Sequence, residues 1–343
     1  MILRDLQLRN FRCFESFAVE LGTGFNFFVG PNGRGKTTIL EAACVLLRLQ
    51  SQRASSLAPT IRVGQRSFLL SGHAESHLLQ FYYSPLRRKV AFDGLEQRDL
   101  AEYLRLVRVV SFANHDLDLI RGTAEIRRRY LDFVAAQVDP RYRPALRAYD
   151  RALRSRNALL KSGFPRMREL NAYTDPLVKA GNLLRAMRAS IVRLLAPSAA
   201  ASHHAISGEQ ETFALEYAPG NKEDFAAHLA ESRPNEERLR VTTVGPHRDD
   251  LHLRVQDMPA ARFASEGQQR TIALALKLAQ AHLLAAESGT NPLLLIDDIF
   301  GELDARRRNA LLAYLPDNSQ KLVTATALDW REKSDLQGPL LKL

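Results

Sequence analysis

Eight consecutive residues, Gly30-Pro31-Asn32-Gly33-Arg34-Gly35-Lys36-Thr37, carry the types and spacing needed to hold a polyphosphate. Glycines without a Cβ let the main chain wrap an anion, and successive N–H groups then point inward. The start of a helix adds its partial positive charge. In that cradle Gly30, Asn32, Gly33, Gly35, Lys36, Thr37 and the adjoining Thr38 are the expected nucleotide contacts, with Lys36 reaching the β and γ phosphates. A glycine loop that only turns the chain is the plainer alternative. The apolar residues Phe25, Phe27 and Val29 before it and the helical pattern after it favour phosphate binding.

Phosphate chemistry also needs a metal and an activated water. Leu293-Leu294-Leu295-Ile296-Asp297-Asp298 offers both, as an apolar strand ending in paired acids. Asp297 and the Thr37 hydroxyl form the expected Mg²⁺ site, and Asp298 is placed to polarise the attacking water; Lys36, Asp297 and Asp298 are the expected catalytic set. A third segment, Ser265-Glu266-Gly267-Gln268-Gln269-Arg270, opens a long helical pattern. Ser265 with Gln268 matches an ordinary capping box, while Gly267 leaves the first turn open to an anion. Its position, 32 residues before Asp297, favours the second reading.

The elements that must position these groups follow from periodicity. Alternation near the N-terminus and the run Phe25–Val29 read as strands, and Thr37–Leu49 as a helix with Ile39, Leu40, Ala43, Leu46 and Leu47 along one stripe. Segments 67–71, 78–83 and 89–92 read as short strands of a β-rich layer. From about Asp116 the texture turns helical. Helices are expected over roughly 141–161, with Tyr142, Leu146, Tyr149, Leu153 and Leu160 on one face, and 176–196, with Leu177, Leu184, Met187, Ile191 and Leu194. Gly163, Phe164 and Pro165 break the pattern between them, which predicts an antiparallel pair. Strand-like text returns at Phe213–Tyr217, Arg240–Val244 and Leu251–Val255, a long helix is expected at 267–287, and apolar strands at Leu293–Ile296 and Lys321–Thr324. The expected architecture is an α/β ATPase domain split over 1–115 and 205–343, with a helical lobe inserted at 116–204.

Composition bounds the rest. The 343 residues are 45% hydrophobic and 25% charged, as in globular chains rather than disordered ones. No run of 18 apolar residues predicts a membrane span. The first ten residues carry Arg4, Asp5 and Arg9 without an apolar stretch, so a secretory signal is not expected. Cys13 and Cys44 have neither zinc-site nor disulfide-framework spacing, and a reducing cytoplasm is the expected location.

The order GPNGRGKT, SEGQQR, LLLIDD and Glu302-Leu303-Asp304 resembles the Walker A, signature, Walker B and D-loop set of ABC-type ATPases. Within that superfamily the chain resembles the RecF family of bacterial recombination mediators. The closer match lies in LxLRNFRCF near the start, RRRYLD at Arg127–Asp132, GPHRDDL at Gly245–Leu251 and IDDIFGELDARRR at Ile296–Arg308. The resemblance implies an ABC-type head with a β-rich layer, using ATP and Mg²⁺ in an ATP-dependent head-to-tail homodimer. Ser265, Gly267 and Gln268 would then contact nucleotide held by the other subunit, Asp304 would sit at the dimer seam, and Asn10 and Arg12 would lie near the base and phosphates. It also implies DNA (duplex, gapped or junction) as the target, and RecR-like and RecO-like mediators as partners in loading recombinase. Three departures accompany it. Asp298 stands where many ABC ATPases have a longer glutamate, predicting slow turnover; stimulation of that hydrolysis by DNA is the expectation of a DNA clamp. Thr324, Ala325 and Thr326 stand where a switch histidine is usual. No residue is identified as the Q-loop glutamine; Asn114 or His115 could substitute for it, with ordinary polar loop residues as the alternative.

Charge adds a reason for DNA that is independent of resemblance. Lys and Arg number 48 against 38 acids, a net charge of +10. Between Arg141 and Arg193 thirteen basic residues face three acids, Asp150, Glu169 and Asp175, an excess equal to that of the whole chain. Arg143, Arg147, Arg151 and Arg154 recur at helical spacing, a ridge suited to phosphate backbone; a solvated helix face is the alternative. Arg306-Arg307-Arg308 reads as structural or interfacial. His247, Arg248, Asp249 and Asp250 read either as a metal or phosphate contact or as a satisfied turn network. A transporter-coupling ATPase remains the alternative function. A structural-maintenance ATPase would need longer coiled-coil arms between Lys36 and Ser265, and a P-loop kinase would leave the signature segment and Asp304 without purpose.

Overall fold

The computed structural model describes residues 2–54, 56–162, 167–208, 211–328 and 337–343. They divide into two compact units, Met1–Asp116 with Gln280–Leu343, and Leu117–Ala279.

The first unit opens with a hairpin of Asp5–Phe11 (β1) and Phe14–Glu20 (β2), then the buried strand Phe25–Val29 (β3). After the glycine loop, Lys36–Arg48 (α1) is buried along nearly its whole length. Phe68–Ala74 (β4), His77–Ser84 (β5), Arg87–Phe92 (β6) and Leu95–Glu96 (β7) join the first hairpin in an antiparallel sheet of order β2-β1-β4-β5-β6-β7. Ala101–Leu106 (α2) then leads to Val109–Ala113 (β8), whose five residues are all buried.

The second unit holds Asp118–Arg121 (α3), Ala124–Val138 (α4), Tyr142–Lys161 (α5), Met167–Ser207 (α6), Phe213–Ala218 (β9), Phe225–Leu239 (α7), Asp250–Val255 (β10), Met258–Pro259 (β11) and Ala260–Phe263 (α8). Glu266–Ser288 (α9) carries the chain out of it. Leu293–Asp297 (β12), Ala305–Tyr314 (α10), Lys321–Ala325 (β13) and Leu340–Lys342 (β14) complete the first unit.

A five-stranded, wholly parallel sheet, order β14-β3-β13-β12-β8, positions the chemistry. β3, β13, β12 and β8 are buried along nearly their whole length, as expected for strands covered on both faces, while β14 at the edge is largely exposed. The strand that feeds the glycine loop (β3) and the strand that ends in the acids (β12) are not neighbours. β13 lies between them, pairing Val323 with Phe27 and Ile296. Both motifs therefore emerge at the carboxyl ends of the strands, where ligands bind in open parallel sheets.

In the second unit α5 and α6 are antiparallel, since Arg156 meets Thr174 at one end and Arg188 meets Tyr142 at the other. Several expectations change here. The buried stripe of α5 is Tyr142, Ala145, Tyr149, Ala152, Arg156 and Leu160, with Leu146 and Leu153 only half-buried. Small Ala145 and Ala152 allow close approach of the partner helix, which the larger leucines would prevent. On α6 Leu195 is buried and Leu194 is 45% exposed. That helix runs from Met167 to Ser207, far beyond 176–196, and continues through Pro176 and Pro197. Packing against its neighbours offsets an interior-proline penalty of about 3 kcal/mol each. The break expected at Gly163, Phe164 and Pro165 lies outside the described residues. Arg240–Val244 is not a strand. Arg240 ends α7 in the left-handed conformation (φ 55°), Val241 N–H returns to Glu236 O at 3.2 Å, and Thr242 and Thr243 are bonded to side chains. The N–H groups of Val241, Thr242 and Thr243 are therefore engaged away from any strand ladder.

Candidate functional site

In the first unit the glycine loop and the paired acids come together at a single hydroxyl. Thr37 Oγ1 donates to Asp297 Oδ1 at 2.8 Å, across 260 residues of sequence. Thr324 Oγ1 donates to the same oxygen at 2.7 Å and accepts from Asp298 N–H at 3.0 Å. Thr324 is thus the group that holds both acids in place. The residue that stands where a switch histidine is usual therefore serves the acids through its hydroxyl, and its position at the end of a buried apolar run is the signal for it in the sequence.

Gly35 caps α1 at φ 92°, a conformation a side chain strains to adopt, and a Cβ there would lie 2.6 Å from the Phe14 ring. Lys36 is buried, and its Nζ donates to Gly30 O at 2.6 Å, Pro31 O at 3.0 Å and Asn32 Oδ1 at 3.4 Å. The ammonium therefore stands inside the loop, where phosphate oxygens can replace carbonyls as its acceptors. Thr38 is buried beside Cys13, whose Sγ lies 3.9 Å from its hydroxyl. Gly30, Asn32, Gly33, Gly35, Lys36, Thr37, Asp297 and Asp298 are all assembled in this unit.

Asp298 has a positive φ of 54°, a strained position of the sort that gathers at working sites. Burial raises its carboxyl pKa above the usual range; Lys36 opposes this, and the neighbouring charges of Asp297 and Glu302 add to it. A carboxylate with raised affinity for protons suits a general base. Among the described residues no cluster of three or more His, Cys, Asp or Glu forms a metal cage. A hydroxyl and one carboxylate instead offer two hard oxygens, the protein share that Mg²⁺ takes when phosphate and water supply the rest. The residues fit that ion.

A small, partly open cleft adjoins this pair, lined by Thr37, Glu41, Gln52, Arg53, His115 and Asp297 among others. His115 follows β8, whose Ala113 pairs with Asp297, so strand pairing delivers it to the cleft; Asn114 is bonded instead to Glu302. Arg12, expected near the nucleotide, is tied to buried Glu41 by Nη2 at 2.7 Å and Nε at 3.0 Å, with Nη1 on Pro59 O. Asn10 takes φ 55°, and its carbonyl accepts from Arg62 N–H. Asp304 caps α10, accepting from Arg307 N–H and Arg307 Nη1, both at 2.8 Å. Arg308 adds bonds to the carbonyls of Phe300 and Leu303.

Ser265, Gly267 and Gln268 lie at the start of α9 in the second unit. The capping box forms in both directions: Gln268 N–H donates to Ser265 Oγ at 3.3 Å, and Ser265 N–H to Gln268 Oε1 at 2.7 Å. Gln268 Nε2 also donates to Glu211.

The GPHRDD segment is a saturated network in the same unit. Asp249, 0% exposed, accepts from Arg188 Nη1 and Gly220 N–H, each at 2.7 Å, and from the Tyr217 hydroxyl. Arg127 grips Asp250 with both Nε and Nη2, at 2.6 and 2.9 Å. His247 is bonded to Tyr149 Oη and Thr242 O, and burial lowers its pKa to about 4. Arg156 is buried against Glu236 at 2.6 Å. Two of the basic residues counted toward the charged block, Arg156 and Arg188, are thus internal. Arg147, Arg151 and Arg154 are exposed together on the outer face of α5, and Arg143 is half-buried.

The chain is similar to several known proteins. A family model described as an AAA domain matches residues 5–74. The DNA replication and repair protein RecF of Gloeobacter violaceus is 36% identical over 98% of this chain and 95% of its own length. That of Shouchella clausii is 33% identical over the same shares. A solved structure of the recombination mediator protein RecF-ATPrS in the RecFOR pathway superposes with a TM-score of 0.88 at 26% identity, covering 100% of this chain and 96% of the other. The same protein with ATP gives an equal score. The Smc head domain from Pyrococcus furiosus, at 16% identity and TM-score 0.54, shares the fold. No helix among the described residues is long and apolar enough to cross a membrane.

Proposed function

The chain belongs to the RecF family, and from that premise we propose that it is an ATP-gated DNA clamp of recombinational repair. The observation that carries the reading is the convergence of Thr37 and Thr324 on Asp297 beside a glycine loop that encloses Lys36.

Lys36 Nζ exchanges the carbonyls of Gly30 and Pro31 for β and γ phosphate oxygens, and the N–H groups of the loop and of the first turn of α1 line the rest of the anion. Thr37 Oγ1 and Asp297 would hold Mg²⁺, which would supply neutralising charge to the β and γ phosphate oxygens. An Asp298 carboxylate oxygen accepts the proton of the attacking water. Its shorter side chain makes turnover slow. A second copy of the chain contributes Ser265, Gly267 and Gln268 at the start of α9, where the N–H groups of the helix tip face the γ phosphate in trans, with Asp304 at the seam. ATP thus joins two subunits around DNA, and hydrolysis releases it. The nucleotide work falls to residues of 1–115 and 205–343, and DNA contact to the inserted 116–204, through Arg147, Arg151 and Arg154 with Arg143 at the margin. Gapped duplex or a junction is the target, and RecR-like and RecO-like proteins are the partners in recombinase loading.

The test is ATP hydrolysis measured with and without gapped duplex at two salt concentrations. Stimulation that fades as salt rises is the expected result. Hydrolysis indifferent to DNA would contradict the clamp.

A further inference from the structure

Charge is segregated along the strands of the six-stranded sheet. Antiparallel pairing places Phe11, Phe14, Phe68, Tyr83 and Arg88 at one end. That end gathers Arg9, Arg62, Arg66, Arg87 and Arg88, while the strand ends and the approach 61–67 add one carboxylate, Glu15, 3.3 Å from Arg62. The opposite end carries Asp5, paired across the hairpin with Glu20, together with Glu75 and Asp93. There Arg4, His73 and His77 are the basic groups, and the two histidines lie 2.7 Å from Asp5 and Asp93.

Two apolar side chains project from the arginine end with almost no cover: Val63 is 96% exposed and Leu86 98%. Leu86 tops the β5–β6 hairpin, and its turn is tightly closed. Ser84 Oγ accepts from Arg87 N–H at 3.0 Å and donates to Arg87 O at 3.3 Å, while Pro85 fixes its own φ. Arg88 is braced over the Phe81 ring and bonded to Leu49 O. The loop with Val63 precedes β4, the strand paired with β5, so both tips share one edge of the sheet.

We propose that this edge is a second DNA surface, in which the Pro85-Leu86 apex wedges into a base step while the arginines around it hold phosphates. The inference rests on the DNA reading above and extends it to a face of the ATPase unit. Protein-docking surfaces have contiguous apolar centres depleted of charge. Isolated apolar points flanked in the chain by Arg62, Arg66, Arg87 and Arg88 match instead the wedge-and-phosphate arrangement with which proteins kink a duplex.

The test uses the full chain with ATP and a gapped duplex carrying 2-aminopurine beside the gap, read by anisotropy and by base fluorescence. Arg66→Glu with Arg87→Glu should weaken binding about tenfold or more and lower the salt slope by about one per arginine removed. Leu86→Ser should leave affinity within about threefold and remove the rise in 2-aminopurine fluorescence caused by unstacking. Wild-type affinity and salt slope in the double variant would overturn the proposal, as would loss of binding to an acidic partner protein with DNA binding intact. Failure of the unmodified chain to bind DNA would sink the clamp itself. Loss of binding confined to Arg147→Glu/Arg151→Glu/Arg154→Glu would remove only the second surface.

Discussion

Two adjacent pairs of aspartates, Asp249-Asp250 and Asp297-Asp298, look alike in sequence and are treated oppositely by the fold. Asp249 is enclosed by Arg188, Tyr217 and a main-chain N–H, and Asp250 by both arms of Arg127. Burial raises the Asp250 pKa, but the Arg127 hydrogen bonds and charge, the Leu251 N–H and the charge of His252 together outweigh it and hold the carboxyl below its usual value. Asp297 accepts from two neutral hydroxyls, and Asp298 is pushed upward by burial. The first pair has its bonding capacity filled by the protein and ties α4, α6, β9 and β10 together. The second keeps capacity for something the protein does not supply. Satisfied charge marks architecture, and under-satisfied charge in a crevice marks chemistry.

The sharpest way to break this contrast is to remove one partner from each pair. Arg188→Ala leaves Asp249 buried and uncompensated, and should destabilise the chain by about 3–5 kcal/mol in denaturant unfolding. Asp297→Asn should cost less than about 1 kcal/mol in the same assay while hydrolysis becomes undetectable, since the amide oxygen can still accept from Thr37 and Thr324 but the anionic metal ligand is lost. Equal unfolding losses in the two variants would erase the distinction. Asp298→Asn should retain nucleotide binding and lower the hydrolysis rate at least about 100-fold, as for a missing general base.

A smaller effect comes from pH. His247 has its pKa lowered by burial from 6.5 to about 4, so the native state holds it neutral while the unfolded chain takes up a proton below about 6.5. Stability should therefore fall on acidification, by about 2 kcal/mol between pH 7 and pH 5. Thermal unfolding across that range checks it, and His247→Gln should flatten the slope. The smallest change expected is for Thr324→Val, which takes one hydroxyl from Asp297. Hydrolysis should drop about tenfold with little change in melting temperature. An unaltered rate would remove Thr324 from the site.

How far the sequence could be read depended on whether a feature is local. The glycine loop and the acids at the end of β12 are contiguous, and their residue types announce their chemistry. Thr324 is ordinary in type, and its role exists only because β13 runs parallel between β3 and β12. His115 reaches the cleft for the same reason, through β8. Arginine excess between Arg141 and Arg193 was read as surface, yet Arg156 and Arg188 lie inside, because their partners Glu236 and Asp249 come from distant segments. The faces differ from the hydrophobic pattern at Leu146 and Leu153, where helix approach on α5 selects the small Ala145 and Ala152, and at Leu194, where the long helix α6 turns Leu195 inward instead.

The composite site is tested most directly by mixing two inactive chains. Lys36→Ala lacks the cradle cation, and Ser265→Arg blocks the helix tip. If each triphosphate is held by the loop of one subunit and the α9 tip of the other, a mixed dimer contains one site with both lesions and one with neither, and hydrolysis returns on mixing. Mixtures that stay as inactive as their components would contradict the account.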